Sequence, residues 1–202
     1  QTTAFFFEKP KGFKFIPGQF IELHLAKNLT HEFSIASSAK EKEIMITTRM
    51  RPSEFKKSLK KLEIGDRVKI DGPFGQFILH KNKIIRAVFL AGGIGITPFR
   101  SMIKDSLNHK ITLFHSNRKK KDAPFLEELK KLESKNFKLI TVMTREGKER
   151  INQKMLKENL KDWRKAIYYA VGSTGFVQSM ADILSEMKIK PEQVKTENFS
   201  GY

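Results

Sequence analysis

The chain has 202 residues, enough for one large domain or two of ordinary size with substantial cores. Hydrophobic residues make up 39% of it and include 17 phenylalanines, a composition typical of a folded globular protein. The 39 basic and 22 acidic residues give a net charge of +17, which favours anionic partners, although a lysine-rich solvated surface gives the same excess.

The composition excludes several kinds of site. Without cysteine there is no disulfide, no cysteine nucleophile and no cysteine-bound zinc or iron–sulfur cluster. The five histidines lack metal-ligand spacing, so we expect no metal site. No apolar run approaches the ~20 residues of a membrane span and no signal peptide opens the chain, so we expect a cytoplasmic protein. The basic residues are dispersed and no nucleic-acid-binding motif accompanies them, which disfavours nucleic acid as a partner.

The first 82 residues favour short antiparallel strands. Five β-rich or alternating runs are divided by glycine and proline turns, and they cover residues 4–7, 19–25, 32–36, 44–48 and 67–70. One helix interrupts them, with Ser53 as its N-cap and Phe55, Leu59 and Leu62 on its apolar face. Short strands at this spacing predict a small closed β-barrel.

From Ile84 onward, strands alternate with helices. The strand-like runs cover 84–90, 111–115, 138–143 and 167–171, and the helical runs cover 98–107, 124–134, 152–160 and 175–187. Such alternation predicts a parallel sheet with helices on both faces. We therefore expect an antiparallel β-barrel domain over residues 1–82 and an α/β domain with a parallel five-stranded sheet over residues 83–202.

A glycine turn joins the first strand of the second domain to its first helix. Gly92, Gly93 and Gly95 let a backbone approach a diphosphate with no Cβ in the way, and a helix N-terminus offers free N–H groups. Thr97 is the expected N-cap and Pro98 the first helical residue. A purely structural strand-to-helix turn has the same pattern, and Pro98 stands where the dinucleotide fingerprint has its third glycine. The neighbouring motifs decide between the two.

Those motifs occur in a fixed order along nearly the whole chain. They are PGQF at 17–20, HEFSIAS at 31–37, GD at 65–66, GPFGQF at 72–77, GGIGITP at 92–98, VGSTGFV at 171–177 and TENFSGY at 196–202. Together they resemble the ferredoxin–NADP reductase-like flavoprotein oxidoreductases, with the family's first barrel strand shortened or absent. The resemblance implies that NAD(P)H reduces a bound FAD by hydride transfer, and that electrons then pass singly to another protein.

The resemblance also implies roles for individual residues around the flavin. Phe33 would lie against the flavin ring and Ser34 would reach its N5 atom, while the chain end supplies Glu197 and Phe199 beside it. Ser34, Glu197 and Phe199 are therefore the catalytic candidates. The remaining flavin-binding candidates are Ile35, Thr48, Ser53 and Tyr202.

One position departs from the family pattern. His31 replaces the arginine that pairs with the flavin phosphate, and histidine makes a weaker, pH-dependent contact. Arg49 and Arg51 could supply the missing positive charge, and Ser53 could donate to the diphosphate from the helix N-terminus.

The nucleotide side follows in the same way. Its candidates are Gly92, Gly93, Gly95, Thr97, Gly172 and Ser173. After the strand at 111–115 come Ser116 and Arg118 and no acidic residue, which suits the 2′-phosphate of NADPH better than the ribose diol of NADH. A plain polar loop and a plain strand-ending turn at 172–173 fit the same residues, so NADH stays open.

The sequence thus predicts a two-domain flavoenzyme that uses FAD and NAD(P)H. Because the chain has no cysteine for its own iron–sulfur cluster, the electron acceptor lies on another chain. The positive charge suggests an acidic carrier such as ferredoxin or flavodoxin. Two alternatives remain: the reductase portion of a longer electron-transfer protein, and a non-catalytic basic binding module on the same fold.

Overall fold

A computed structural model describes residues 2–147 and 149–199. The first part of the chain forms short strands and one helix, as the sequence predicts. They are β1 (Thr2–Glu8), β2 (Phe20–Ala26), β3 (Leu29–Ser34), β4 (Glu43–Arg49), α1 (Glu54–Lys60) and β5 (Lys69–Phe74). The Ser53 hydroxyl accepts a hydrogen bond from the Lys56 N–H at 3.2 Å, so the predicted N-cap of α1 is confirmed.

The antiparallel strands form two sheets around one core. β1 pairs with β4, and β2 lies between β3 and β5. A backbone hydrogen bond connects the sheets just after β3 ends, from the Ala36 N–H to the Met45 carbonyl at 2.8 Å. Within the described residues, the ladders do not close into the predicted ring, because no described strand pairs with the outer edge of β1 or β5. Ile21, Ile35 and Ile44 are fully buried between the sheets.

The second part of the chain is the expected α/β structure. Its strands are β6 (Ala87–Gly92), β7 (Ile111–Asn117), β8 (Phe137–Met143), β9 (Ile167–Gly172) and β10 (Val194–Asn198). Its helices are α2 (Thr97–Asp105), α3 (Leu126–Lys131), α4 (Gln153–Asn159) and α5 (Thr174–Glu186). The strands make one five-stranded sheet in the order β10-β9-β6-β7-β8, and every pair is parallel.

Alternate residues of the parallel strands enter two separate cores. Leu90 and Tyr168 face the core that contains Met180 and Leu184 of α5. Their neighbours in sequence, such as Phe89, face the opposite core against α2. Burial of both faces explains why these strands are nearly continuous apolar runs in the sequence.

Two local predictions are wrong. The first parallel strand begins at Ala87 rather than Ile84, whose side chain is 78% exposed. Thr97 is not an N-cap, because a 3-10 turn over Gly93–Ile96 runs directly into α2 and leaves Thr97 already helical. Its hydroxyl instead donates to the Ile94 carbonyl at 3.2 Å. No helix among the described residues has the length and hydrophobicity to cross a bilayer.

Candidate functional site

The order of the parallel strands reverses beside β6. β7 and β8 continue from one side of β6, whereas β9 and β10 lie on the other. In open α/β sheets, ligands bind at the carboxyl ends of the strands beside such a reversal. The glycine turn follows β6 at this point, and the Phe199 N–H donates to the Gly172 carbonyl at 2.8 Å, which brings the end of β10 to the same edge.

A small cavity lies between the antiparallel strands and this edge. Its volume is about 80 Å³, and we call it the inner cavity. It is lined by Phe20, His31, Glu32, Phe33, Ser34, Thr47, Thr97, Glu197, Asn198 and Phe199. The fold therefore brings the three catalytic candidates Ser34, Glu197 and Phe199 together from opposite ends of the sequence.

The aromatic wall of the inner cavity is already packed. Phe33 is only 3% exposed, and the His31 ring stacks on it with centroids 4.7 Å apart and planes at 22°. His31 Nδ1 lies 2.8 Å from the Glu32 carbonyl oxygen. Phe33 thus belongs to the hydrophobic core as well as to the cavity wall, and a phosphate contact by His31 remains a prediction.

Glu197 carries the most perturbed carboxyl group of the inner cavity. Burial, with a smaller contribution from the negative charge of Glu32, raises the pKa of Glu197 to about 7. Among the described residues, its Oε2 atom and the Thr47 hydroxyl are buried without a hydrogen-bond partner. Buried polar atoms normally have partners, so these two indicate a polar group that the cavity is built to receive.

A second cavity, which we call the middle cavity, adjoins the first at Phe199. Its volume is about 250 Å³. It is lined by Arg49, Arg51, Gly92, Gly93, Ile94, Ser116, Asn117, Arg118, Thr144, Ser173, Phe176 and Phe199. Of the residues that line it, three are arginines and none is acidic, so its wall attracts anions.

The glycines of the turn have two different functions. Gly93 has a φ of +57°, and a Cβ there would lie 2.7 Å from the Arg49 guanidinium. A Cβ on Gly95 would lie 2.3 Å from the Val171 carbonyl oxygen, so Gly95 allows the turn to pack on β9. Gly93 therefore belongs to the cavity wall, whereas Gly95 is required by the packing of the protein itself.

A third cavity, the outer cavity, continues the groove. Its volume is about 540 Å³, and it lies between β1 and β4 on one side and residues 118–125 on the other. It shares Arg49 and Arg118 with the middle cavity and Thr47 with the inner cavity. The three cavities thus form one groove between the antiparallel and the parallel sheets.

One cavity and one cluster of side chains lie elsewhere, away from the predicted ligand-binding residues. A cavity of about 550 Å³ lies at the opposite edge of the parallel sheet, where Arg86 is already paired with Asp162 at 2.9 Å. Glu22, His24 and Asp71 group on β2 and β5, but the Lys69 ammonium already lies 2.8 Å from Asp71. Neither place contains residues of the motifs.

Several predicted site residues do not line the inner or middle cavity. Ile35 and Thr48 are fully buried, and Ser53 caps α1. Gly172 lies against the Phe176 ring, where a Cβ would be 2.8 Å from it. Tyr202 lies outside the described residues. Their roles in ligand binding remain predictions.

His115 and Asn117 are functional candidates that the sequence reasoning missed. His115 is fully buried below the glycine turn, with Nε2 3.1 Å from the Gly93 carbonyl oxygen. Burial lowers the pKa of His115 to about 4, so the ring is neutral and Nε2–H can donate to that carbonyl. Asn117 is 5% exposed, lines the middle cavity, and has no partner for either side-chain polar atom among the described residues.

Comparisons with known proteins relate the sequence of this chain to oxidoreductases. The family model for the oxidoreductase NAD-binding domain matches residues 89–182. The chain is 30% identical to the probable dihydroorotate dehydrogenase B (NAD(+)), electron transfer subunit, of Pyrococcus abyssi, over 92% of this chain and 69% of that protein. It is 34% identical to methane monooxygenase component C of Methylosinus trichosporium, over 58% of this chain and 37% of that protein.

Solved structures show the same fold. A ferredoxin NADP+ reductase from Neisseria gonorrhoeae, with bound FAD and NADP, superposes with a TM-score of 0.84 at 20% identity, covering 98% of this chain and 92% of that one. Several curated relatives are longer than this chain. It spans 37% of the methane monooxygenase component and 56% of flavohemoprotein A from Dictyostelium discoideum.

Proposed function

The chain belongs to the ferredoxin–NADP reductase-like family of flavoprotein oxidoreductases, and we propose on this basis that it oxidises NAD(P)H with a bound FAD and passes the electrons to a separate protein. The observation that carries the proposal is the inner cavity, where Ser34 from the antiparallel part of the chain meets Thr97, Glu197 and Phe199 from the α/β part. Residues 1–82 would form the flavin-binding domain and residues 83–202 the nucleotide-binding domain.

The chemistry of the groove fits a flavin dinucleotide. The unpaired Glu197 Oε2 and Thr47 hydroxyl suit the polar edge of a flavin ring, and Arg49 and Arg51 of the middle cavity suit its diphosphate. The inner cavity is smaller than the roughly 300–1,000 Å³ of most ligand pockets. Phe199, which lines both cavities, would therefore shift when a ring enters.

Each residue would have a defined role. A bound FAD would supply the acceptor for the hydride, two electrons and one proton, that a dihydronicotinamide gives up on oxidation. Ser34 would orient the reacting edge of the ring, and Phe33 would exclude water from it. Glu197, whose pKa is raised to about 7, would hold or release a proton of its own at Oε2 near neutral pH, separate from the transferred hydride.

The middle cavity would bind the nicotinamide nucleotide, and NADPH is the favoured form. Arg118 offers a guanidinium, and Ser116 a hydroxyl, at the end of β7, where a ribose 2′-phosphate would be bound. NADH would lack this charge-assisted contact but keep the rest.

The visible spectrum of the purified protein tests this proposal. We expect a yellow protein that releases FAD on denaturation and is bleached by NADPH under anaerobic conditions. A colourless protein that FAD does not reconstitute would instead support the basic binding module. A yellow protein that neither NADPH nor NADH bleaches would remove the reductase assignment.

The acceptor would be an acidic carrier such as ferredoxin or flavodoxin. A net charge of +17 would steer it to the protein and raise the encounter rate more than the affinity. Because charge interactions are screened beyond ~10 Å at 0.1 M salt, carrier reduction should slow steeply as salt rises, while reduction of a small neutral acceptor changes little. If both acceptors responded to salt in the same way, electrostatic steering would be excluded and the reductase assignment would be unaffected.

Since the chain spans only part of several relatives, it would act as the reductase portion of a larger electron-transfer system. Reduction of a carrier added in trans distinguishes a self-sufficient reductase from a portion that needs a covalently attached partner.

A further inference from the structure

A hydrogen-bonded contact ties the nucleotide side of the groove to the flavin side. Arg100 lies three residues after Thr97 on α2 and is 6% exposed. Its Nη1 donates to the Ala36 carbonyl at 2.7 Å, and the neighbouring Ser101 hydroxyl donates to the Ser37 carbonyl at 2.6 Å. Both acceptors lie within three residues of Ser34. The helix after the glycine turn is therefore bound to the backbone that follows Ser34.

The remaining N–H groups of Arg100 contact two carboxylates. Nε and Nη2 each donate to Glu128 of α3 at 2.7 Å. Nη1 and Nη2 donate to Glu41, between β3 and β4, at 3.1 and 3.3 Å. The planar guanidinium thus reaches three chain segments at once, in a geometry that its rigid fork fixes.

Lys104 completes this cluster without touching the Ser34 segment. Its ammonium lies 2.6 Å from Glu41 and 3.0 Å from Glu128. Burial opposes charge on Glu41, but hydrogen bonds from Arg100 and Lys104 outweigh it and lower the pKa of Glu41 to about 2. Two cations and two carboxylates therefore stay ionised across the neutral pH range.

We propose that Arg100 is a positioning residue that sets the separation between Ser34 and the glycine turn, and hence the overlap of the two rings that would react there. The proposal rests on the proposed function for its consequence, but the contact itself is a property of the protein alone. Lys104 is the matched control, because it pairs with the same two carboxylates but donates to no backbone atom after Ser34 in the described contacts.

A distance measurement tests the contact without any cofactor. The chain has no cysteine, so Lys57→Cys on α1 and Lys131→Cys on α3 give two unique sites for spin labels on opposite sides of the groove. We expect Arg100→Lys to broaden the label distance distribution by about twofold, because an ammonium cannot reproduce the guanidinium contacts to Ala36, Glu41 and Glu128. Asp105 still accepts hydrogen bonds from Ser38 and Ala39 in this variant, so we expect a loosened contact and not a lost one. Lys104→Met should leave the distribution unchanged. An unchanged width in Arg100→Lys, or equal broadening in Lys104→Met, would overturn the proposal.

Should Arg100→Lys fail to fold, Ser101→Ala takes its place. It removes only the hydrogen bond to the Ser37 carbonyl, and we expect a smaller broadening in the same direction. A width identical to that of the parent protein would then count against the proposal.

In kinetic measurements the substitution of Arg100 should lower the rate of flavin reduction and leave ligand binding unchanged. Because small misplacements of reacting groups are costly, we expect Arg100→Lys to slow flavin reduction at saturating NADPH by about tenfold or more. The FAD and NADPH dissociation constants should stay near their original values, and the charge-transfer absorbance of overlapping rings should weaken. Equal losses in rate and in affinity would indicate a merely structural role. If the protein binds no flavin, the proposed function fails, and the spin-label distances still decide the fate of the Arg100 contact.

Discussion

The inner and middle cavities meet at Phe199 but differ sharply in charge. The inner cavity has aromatic and hydroxyl groups with two carboxyl groups, and burial keeps one of them, Glu197, protonated up to about pH 7. The middle cavity has three arginines and no acidic residue in its wall. A cationic wall holds phosphates, whereas a secluded carboxyl group can exchange protons near neutral pH. Substitutions at the inner cavity should therefore change rate, and substitutions at the middle cavity should change affinity.

Ser34→Ala should have the largest effect. It removes one hydroxyl beside the reacting atoms and very little volume, so FAD should stay bound while flavin reduction slows by roughly 10²–10³-fold, as on losing one oriented hydrogen-bond donor. Stopped-flow reduction at saturating NADPH measures this. Ser116→Ala is the matched change in the middle cavity and should weaken nucleotide binding without changing the limiting rate. Identical behaviour of the two variants would erase the distinction between the cavities.

Glu197→Gln should change the pH dependence of both rate and stability. The folded protein holds the Glu197 proton to about pH 7, whereas the unfolded chain releases it near 4.5, so folding stability falls as pH rises between these values. Above pH 7 the raised pKa of Glu197 lowers the free energy of unfolding by at most about 3 kcal/mol. Glu197→Gln should remove this pH-dependent loss. We expect the inflection near pH 7 in the flavin-reduction rate to disappear as well.

His115 changes the stability of the protein with pH in the opposite direction to Glu197, so it serves as an internal reference. Its pKa is lowered from 6.5 to about 4, so the unfolded chain binds more protons between these values and stability falls as pH drops. In the parent protein the two contributions offset each other where they overlap. Thermal denaturation of Glu197→Gln should therefore show a clear loss of stability on acidification from pH 6.5 to 4.5, and the exposed change Glu192→Gln should not. The same profile in both variants would place the Glu197 pKa near its ordinary value.

Arg118→Ala should act on affinity and discriminate between nucleotides. A charge-assisted contact to a 2′-phosphate is worth ~1.5–3 kcal/mol, so kcat/KM for NADPH should fall by roughly 10- to 100-fold and that for NADH much less. Lys119→Ala is the control, since Lys119 is the next cation in sequence but does not line the middle cavity. Equal losses for the two nucleotides would show that this loop does not read the phosphate.

Most of the fold could be predicted from the sequence because its strands are short and its parallel strands are buried on both faces. The strand β10 was harder, since Val194–Asn198 has no long apolar run and owes its place to pairing with β9. The N-cap at Thr97 was wrong because the 3-10 turn before it depends on the packing of Gly95 against Val171. Neither contact is encoded in local periodicity.

Some features of the candidate site could likewise be predicted from the sequence and others could not. Ser34, Glu197 and Phe199 line the same small cavity, because the end of β3 faces the end of β10, and their catalytic roles remain predictions. The sequence could not show that Gly95 and Gly172 serve packing within the protein, since the atoms they avoid are distant in sequence. Asn117 was missed for a related reason: a lone asparagine between Ser116 and Arg118 resembles any polar loop residue until its surroundings are known.

Asn117→Ala should have the smallest effect on nucleotide affinity. The direction in which it changes the melting temperature shows whether Asn117 serves the ligand or the protein core. Both polar atoms of the Asn117 side chain are buried without a partner among the described residues, and an unsatisfied amide of this kind costs ~1–3 kcal/mol. Removing it should leave the melting temperature of the nucleotide-free protein unchanged or higher. A neutral hydrogen bond to a nucleotide contributes only ~0.5–1.5 kcal/mol, so NADPH and NADH should both bind about two- to tenfold more weakly. Calorimetric titration and thermal denaturation measure the two quantities. A lower melting temperature with unchanged affinity would make Asn117 part of the protein core and confine recognition to the arginines.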